Sequence, residues 1–459
     1  MEVLNAGYGL AVLVGGLLLL TVLVYRGQSI FVVAPFCALM VLVFSGADPV
    51  EGMTGRYMVG FADYLRRFYL IFALGASFGK LMEHSGAAAR IAQAVVRVLG
   101  PQRACLAVVL ACAVLTYGGV SLFVVGFSVY PLAARLFREA KLPHRFIPAA
   151  IAFGSVTFTM TSAGSPEIQN LIPIQYLIDA STGEPLTDAL AGWPVSLIVA
   201  GLMFAAGQWY LDWAIARDLR SGAATGAAGD VPEGEMSSTE RATDIERLPR
   251  LGAALAPLIV TLLALNVAPR LWAAFPADPT VAIFAGVLTA LICLWPFVSA
   301  GRSLAEGFGN GLIAIGATCS VVGFGSAMQG LPAFERMVDW VTNVPGDPLI
   351  GAALAVAVIA GMAGSASGGQ GLALPIIKPI FVDQLGVAPR ALHRVVAIAS
   401  GSLDSLPANG YIVMLIRNVC GETHARAYGP VFVTTLLIPL AGTALAIALF
   451  RLVPAWGLM

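Results

Sequence analysis

Charge is scarce in this chain. Charged residues make up 11% of it and hydrophobic residues 58%, against about 25% charged in a soluble globular domain. That deficit excludes an ordinary soluble fold. With no basic stripe to track phosphates, it also argues against a nucleic-acid partner. No Lys or Arg precedes the first apolar run, so the positive n-region of a cleavable signal is missing and the first span is expected to stay in the mature protein. The six cysteines include no CxxC pair and the four histidines form no HExxH, so neither a redox pair nor a metal site is expected. There is no GxxxxGK[ST] loop, which removes a phosphate-loop pump. The expectation is a protein that is not an enzyme, with no catalytic residue, no cofactor and no metal.

What the chain does have is long runs without charge: 7–25, 27–47, 104–134, 189–211, 280–301, 307–334, 349–377 and 427–450. About 20 apolar residues cross the hydrocarbon core of a bilayer as a helix. The reading is an all-α, multi-pass protein of the cell (inner) membrane, with the lipid bilayer as its solvent. Residues 216–250 form the one extended polar stretch, rich in Gly, Ala, Ser and Glu, and read as a solvated cytoplasmic linker. They separate two halves, 1–215 and 251–459.

The halves repeat one order of features. Each opens with two plain spans and a glycine-containing third. An amphipathic segment follows (85–100, then 331–346), then an apolar run with a break, a short basic loop with a proline (Pro143, Pro389), a span with a second break, and a plain closing span. The charge-free run 104–134 would be about 46 Å long as one straight helix, against a core of about 30 Å, and arginines flank both its ends. A re-entrant hairpin over 104–137 with its tip at Tyr117–Ser121 explains both facts. The matching hairpin covers 349–382, and the broken helices cover 146–176 and 392–417. Each half then holds about five transmembrane helices plus a hairpin. An odd number inverts the second half, and an excess of basic residues beside the first hairpin puts its base inside.

The four breaks, TYGGVS (116–121), TSAGSPEIQN (161–170), GSASGGQG (364–371) and SGSLDSLPANG (400–410), lie at membrane depth. Broken backbone is tolerated there only in protein or along a watery cavity, and paired breaks in corresponding halves point to a transporter's binding site. Helix N-termini at a break offer free N–H groups to an anion, glycine lets a ligand approach, and Ser, Thr, Asn and Gln add donors. The candidate substrate-binding residues are Gly118, Gly119 and Ser121; Thr161, Ser162, Gly164, Ser165 and Asn170; Ser365, Ser367, Gly368, Gly369 and Gln370; Ser405 and Asn409. Asp404 and Glu167 are carboxylates inside these breaks, and an acid at that depth is a candidate for ion coupling. Close packing of helices through small residues is the competing use of the glycines and serines.

YGGVSLFVVGFSVYPLAARLFREAKLPHRFIPAAIAFGSVTFTMTSAGSPEIQNLIP (117–173), GSASGGQGLALPIIKP (364–379) and ASGSLDSLPANG (399–410) resemble the gluconate permease (GntP-type) family, within the wider ion-transporter superfamily. The chain departs from it at TMTSAGSPEIQN, where the family carries a stretch rich in His and Pro. The resemblance implies an elevator-type symporter importing a small organic anion, a hydroxycarboxylate such as gluconate or a short-chain hydroxy acid. It also implies coupling to protons, and a homodimer. Sodium coupling is the alternative; a channel or an intramembrane enzyme is a remote one.

Overall fold

The computed structural model describes all residues except 1, 27, 222–247, 273, 277, 337–345 and 408. Most of the expected linker and of the second amphipathic segment therefore lie outside the described residues. Among those described the elements are helical, with one isolated β-bridge between Ile178 and Pro185. The first half holds α1 (Glu2–Tyr25), α2 (Ile30–Phe44), α3 (Met58–His84), α4 (Ala87–Leu99), α5 (Ala104–Tyr117), α6 (Leu122–Glu139), α7 (Ile147–Ala152), α8 (Ile168–Tyr176) and α9 (Trp193–Arg220). The second holds α10 (Leu251–Asn266), α11 (Pro279–Leu294), α12 (Ala300–Met328), α13 (Pro348–Ala363), α14 (Ala366–Ile377), α15 (Pro389–Leu403), α16 (Gly410–Val413), α17 (His424–Phe432) and α18 (Ile438–Leu452). Among the described residues, five helical stretches are long and apolar enough to cross a membrane singly, and shorter apolar helices such as α2, α5 and α10 accompany them.

Two groups of helices pack against each other. In the first, α3 and α12 run face to face. A Cβ on Gly307 would lie 2.4 Å from the Ser77 Cα, and one on Gly311 2.7 Å from the Ala73 Cα. Small residues one turn apart thus bring the two backbones close, the usual means of helix association where lipid removes a hydrophobic drive. Helices α1, α2, α10 and α11 complete this group. The second group contains both hairpins, both broken helices and α9, α17 and α18. Amphipathic α4 buries Ala87, Ala88, Ile91 and Ala92 and packs on α5 and α10, between the groups.

The first hairpin turns where the run was too long for one helix. Helix α5 stops at Tyr117, Gly119 takes φ +93, and α6 restarts at Leu122; only glycine adopts that backbone without cost. The second hairpin is tighter than its glycine content suggests. Gly364 at φ +60 ends α13, and Ser365 accepts a hydrogen bond from the Gly368 N–H (3.2 Å), so α14 starts at Ala366. Ser367, Gly368, Gly369 and Gln370 therefore lie inside a helix and not in an open loop. Gly369 is needed there for packing, since a Cβ would sit 2.5 Å from the Ala360 Cα.

The two ends of the second group are marked by polar contacts. His144 meets Glu422 at 3.0 Å and Arg145 pairs with Asp218, bringing together the starts of α7 and α17 and the end of α9. At the other end Asp188 bridges Arg270 (3.1 Å) and Arg390 (3.0 Å), and Asp347, which caps α13, meets Arg451 at 3.3 Å. The base of the first hairpin adjoins the former end and the base of the second adjoins the latter.

Candidate functional site

The four interruptions meet. A Cβ on Gly119 would come within 2.9 Å of the Pro166 Cγ, so the first tip rests on the first broken helix. Asn409 donates from Nδ2 to the Gly364 carbonyl (3.2 Å), tying the second tip to the second broken helix. Gln370 donates to the Gln169 carbonyl (3.1 Å) and the Ser400 hydroxyl (2.7 Å), joining α14 to both broken helices. Between them lies a cavity of about 880 Å3 that touches every break: Gly119 and Ser121; Glu167; Gly364, Ser365 and Ser367; Asp404, Ser405 and Asn409. Ile71, Phe72, Ile283 and Val321 of the α3, α11 and α12 group form the facing wall. Arg26, Arg417 and Asn418 are exposed lining residues, and they place the mouth toward the end that holds Glu422. There burial pushes the Glu422 carboxyl up, but the hydrogen bond from His144 and the Arg426 charge outweigh it and hold it below the ordinary glutamate value.

The polar groups differ between the halves. No side chain caps α6 or α8, so their first N–H groups remain available beside Ser121 and Glu167. In the second half both restarts are closed by their own side chains, Ser365 on Gly368 and Asn409 on the Ile412 N–H (3.0 Å). Asp404 accepts from Asn409 Nδ2 (2.8 Å) and forms no ion pair among the described residues. The Glu167 carboxylate lines the cavity, with no hydrogen-bonding or ionic partner among the described residues.

The remaining sequence candidates lie off the cavity. Gly118 packs on Leu258 of α10. Ser162 donates to the Phe158 carbonyl. Gly164, at φ +82, sends its N–H to the Ala189 carbonyl (2.7 Å). Ser165 is fully buried, and its carbonyl accepts from Asn170 (2.8 Å). Gly368, Gly369 and Gln370 are held within α14 and against its neighbours. Thr161 and Asn170 belong to a polar cluster whose centre the sequence reading missed, Arg394.

Arg394 is fully buried in α15. Its guanidinium donates from Nε to the Ala191 carbonyl (3.0 Å), from Nη1 to the Thr161 carbonyl, and from Nη2 to Asn170 Oδ1 (2.9 Å). His393 Nε2 contacts the same amide oxygen at 3.3 Å, which requires the proton on Nε2, and the Thr187 hydroxyl then donates to Nδ1 (2.8 Å). A guanidinium from the second broken helix thus satisfies the backbone that the first one leaves unwound. A fork of fixed donors suits that task better than an ammonium. The one available signal was a charge set directly before the apolar run VVAIASG.

Known proteins are similar to this chain in sequence. The model of the GntP family permease matches residues 8–453. An uncharacterized transporter, YxjC of Bacillus subtilis (strain 168), is 34% identical over 475 residues, covering 95% of this chain and 97% of its own. The high-affinity gluconate transporter of Escherichia coli (strain K12) is 25% identical over 403 residues, covering 85% and 87%. In fold, the chain is similar to the YdaH transporter of Alcanivorax borkumensis, with a TM-score of 0.50 over 90% of each chain at 17% identity. With a family match over nearly its whole length and these apolar helices, the chain is a multi-pass membrane protein that belongs to the GntP permease family.

Proposed function

We propose that the chain is a secondary symporter that imports a small organic anion, a hydroxycarboxylate, together with protons. The observation that carries this reading is a cavity at which four helix interruptions meet, lined by the uncapped starts of α6 and α8 and by two carboxylates, Glu167 at the α8 start and Asp404 from the second half. The α6 and α8 termini and Ser121 supply donors to a carboxylate without a fixed charge. Asp404 carries the coupled proton, and Glu167, beside α8, must also be neutral before an anion can sit near it. The gluconate transporter of Escherichia coli is a relative at 25% identity, which supports an organic anion as the class of substrate.

Alternating access follows an elevator scheme in this reading. The hairpins, the broken helices and α9, α17 and α18 move as a unit against a scaffold of α1–α3 and α10–α12, which also forms the homodimer contact. Support comes from the grouping of the helices and from hairpin bases at opposite ends, as two inverted repeats, 1–215 and 251–459, require. A mouth beside Arg417 and Glu422 makes this the inward-facing state. The test is a thermal-shift screen of the purified protein against small carboxylates at two pH values, with and without sodium. Stabilisation by hydroxycarboxylates, stronger at low pH and indifferent to sodium, is the expected result. A sodium requirement would transfer the coupling to that ion, and no response to any carboxylate would sink the reading.

A further inference from the structure

Most polar side chains around the cavity are already engaged. Asn409 is bonded to Gly364, Asp404 and Ile412, and Ser365 to Gly368 and Ser367. Thr261 and Thr318 donate to carbonyls of their own helices at 2.9 and 3.2 Å. The Tyr411 hydroxyl is held by Ser155 at 3.0 Å, so the ring alone is left for a ligand. Among the described residues, and apart from the Glu167 carboxylate and the side chains of Arg26, Arg417, Asn418 and His424, two unused groups line the space, the hydroxyls of Ser121 and Ser405; Gln169 Oε1 is buried beside it without a partner.

Beside them stands an apolar wall of Phe123, Val156, Met160, Ile168 and Tyr411. The rings of Phe123 and Tyr411 meet edge to face, with centroids 5.6 Å apart, and Phe123 is 47% exposed although it lines the cavity. A ligand hydroxyl laid on that wall loses water and gains no partner. A methyl or methylene group placed there gains contact.

Resting on the carrier reading above, we infer that this cavity selects a monocarboxylate with a short apolar chain and at most one hydroxyl over a polyhydroxylated sugar acid. The carboxylate lies at the uncapped starts of α6 and α8. One hydroxyl fits Ser405, and the chain end packs on Phe123 and Met160. Further hydroxyls laid along that apolar wall have nothing to bond. Selection against them is a matter of unpaired polar groups, a stronger discriminator than size.

Calorimetric binding to the intact protein tests this with 3-hydroxybutyrate, butyrate and gluconate as probes. The expected result is 3-hydroxybutyrate binding at least tenfold tighter than gluconate, with butyrate between them. In Phe123→Ser and Met160→Ser the ratio should fall at least threefold, mainly through weaker 3-hydroxybutyrate binding. Gluconate binding as tightly as 3-hydroxybutyrate to the unaltered protein overturns the inference and leaves the carrier reading standing. Binding of none of the three overturns both.

Discussion

Both hairpins turn inside the helix bundle, yet they leave different chemistry at their tips. The first ends in glycine at φ +93 and restarts as α6 without a capping side chain. The second ends in glycine at φ +60 and is closed at once by Ser365. The broken helices divide in the same way: α8 starts uncapped after Glu167, whereas α16 is capped by Asn409, which also holds Asp404. The first half leaves backbone donors uncapped beside Glu167, and the second closes its restarts with its own side chains and presents Asp404. The halves differ in how their restarts are capped, and Arg394 of the second braces the open backbone of the first.

Breaking that brace should have the largest effect. Arg394→Ala leaves the Thr161 and Ala191 carbonyls buried without partners, at about 1–3 kcal/mol each, and leaves Asn170 Oδ1 with His393 alone. The variant should melt well below the unaltered protein and transport nothing. Arg394→Lys should recover only part of the stability, because an ammonium does not reproduce the fork; equal melting of the two variants would remove the bracing role. The first tip comes next. Gly119→Ala forces a side chain into a left-handed backbone, at about 1–2 kcal/mol, and against Pro166. Its transport KM should rise more than its melting point falls. Ser121→Ala should raise KM several-fold with no change in melting.

Loss of a cap in the second half should register as stability instead. Ser365→Ala is expected to cost about 1 kcal/mol in melting or denaturant titration, with KM within about twofold. A KM change as large as that of Ser121→Ala would erase the contrast between the halves. The smallest effect is at the end that holds Glu422. Because the Glu422 carboxyl is held below its ordinary value, the contribution it makes to stability is present above that ordinary value, near about 4.3, and is lost as pH falls through the depressed one. The melting difference between the protein and Glu422→Gln should be seen at pH 7 and vanish in stronger acid.

The first hairpin was legible because the run 104–134 was too long to span once and too short to span twice, and arginines marked both ends. The second was overread. The helix cost of its glycines suggests an open break at GSASGGQG, but Gly369 lies in α14 to let it approach α13, the close packing that competes with that reading. The break in the first broken helix was placed well, while the roles within it were not. Asn170 spends its amide oxygen on Arg394, and Thr161 gives Arg394 only its backbone carbonyl while its hydroxyl is buried without a partner. Sequence does not separate a donor aimed at a ligand from one aimed at an unwound carbonyl, because the partner lies more than two hundred residues away. Arg394 itself follows a proline-marked loop, where an arginine reads as an interfacial anchor.

The account's central claim is that anion and proton meet where the four breaks do, with Asp404 carrying the proton. The most direct measurement is anion accumulation by Asp404→Asn in proteoliposomes under an imposed proton gradient, beside anion exchange in the same vesicles without one. Loss of gradient-driven accumulation with exchange retained is the predicted result. Accumulation that still follows the proton gradient in Asp404→Asn would contradict it.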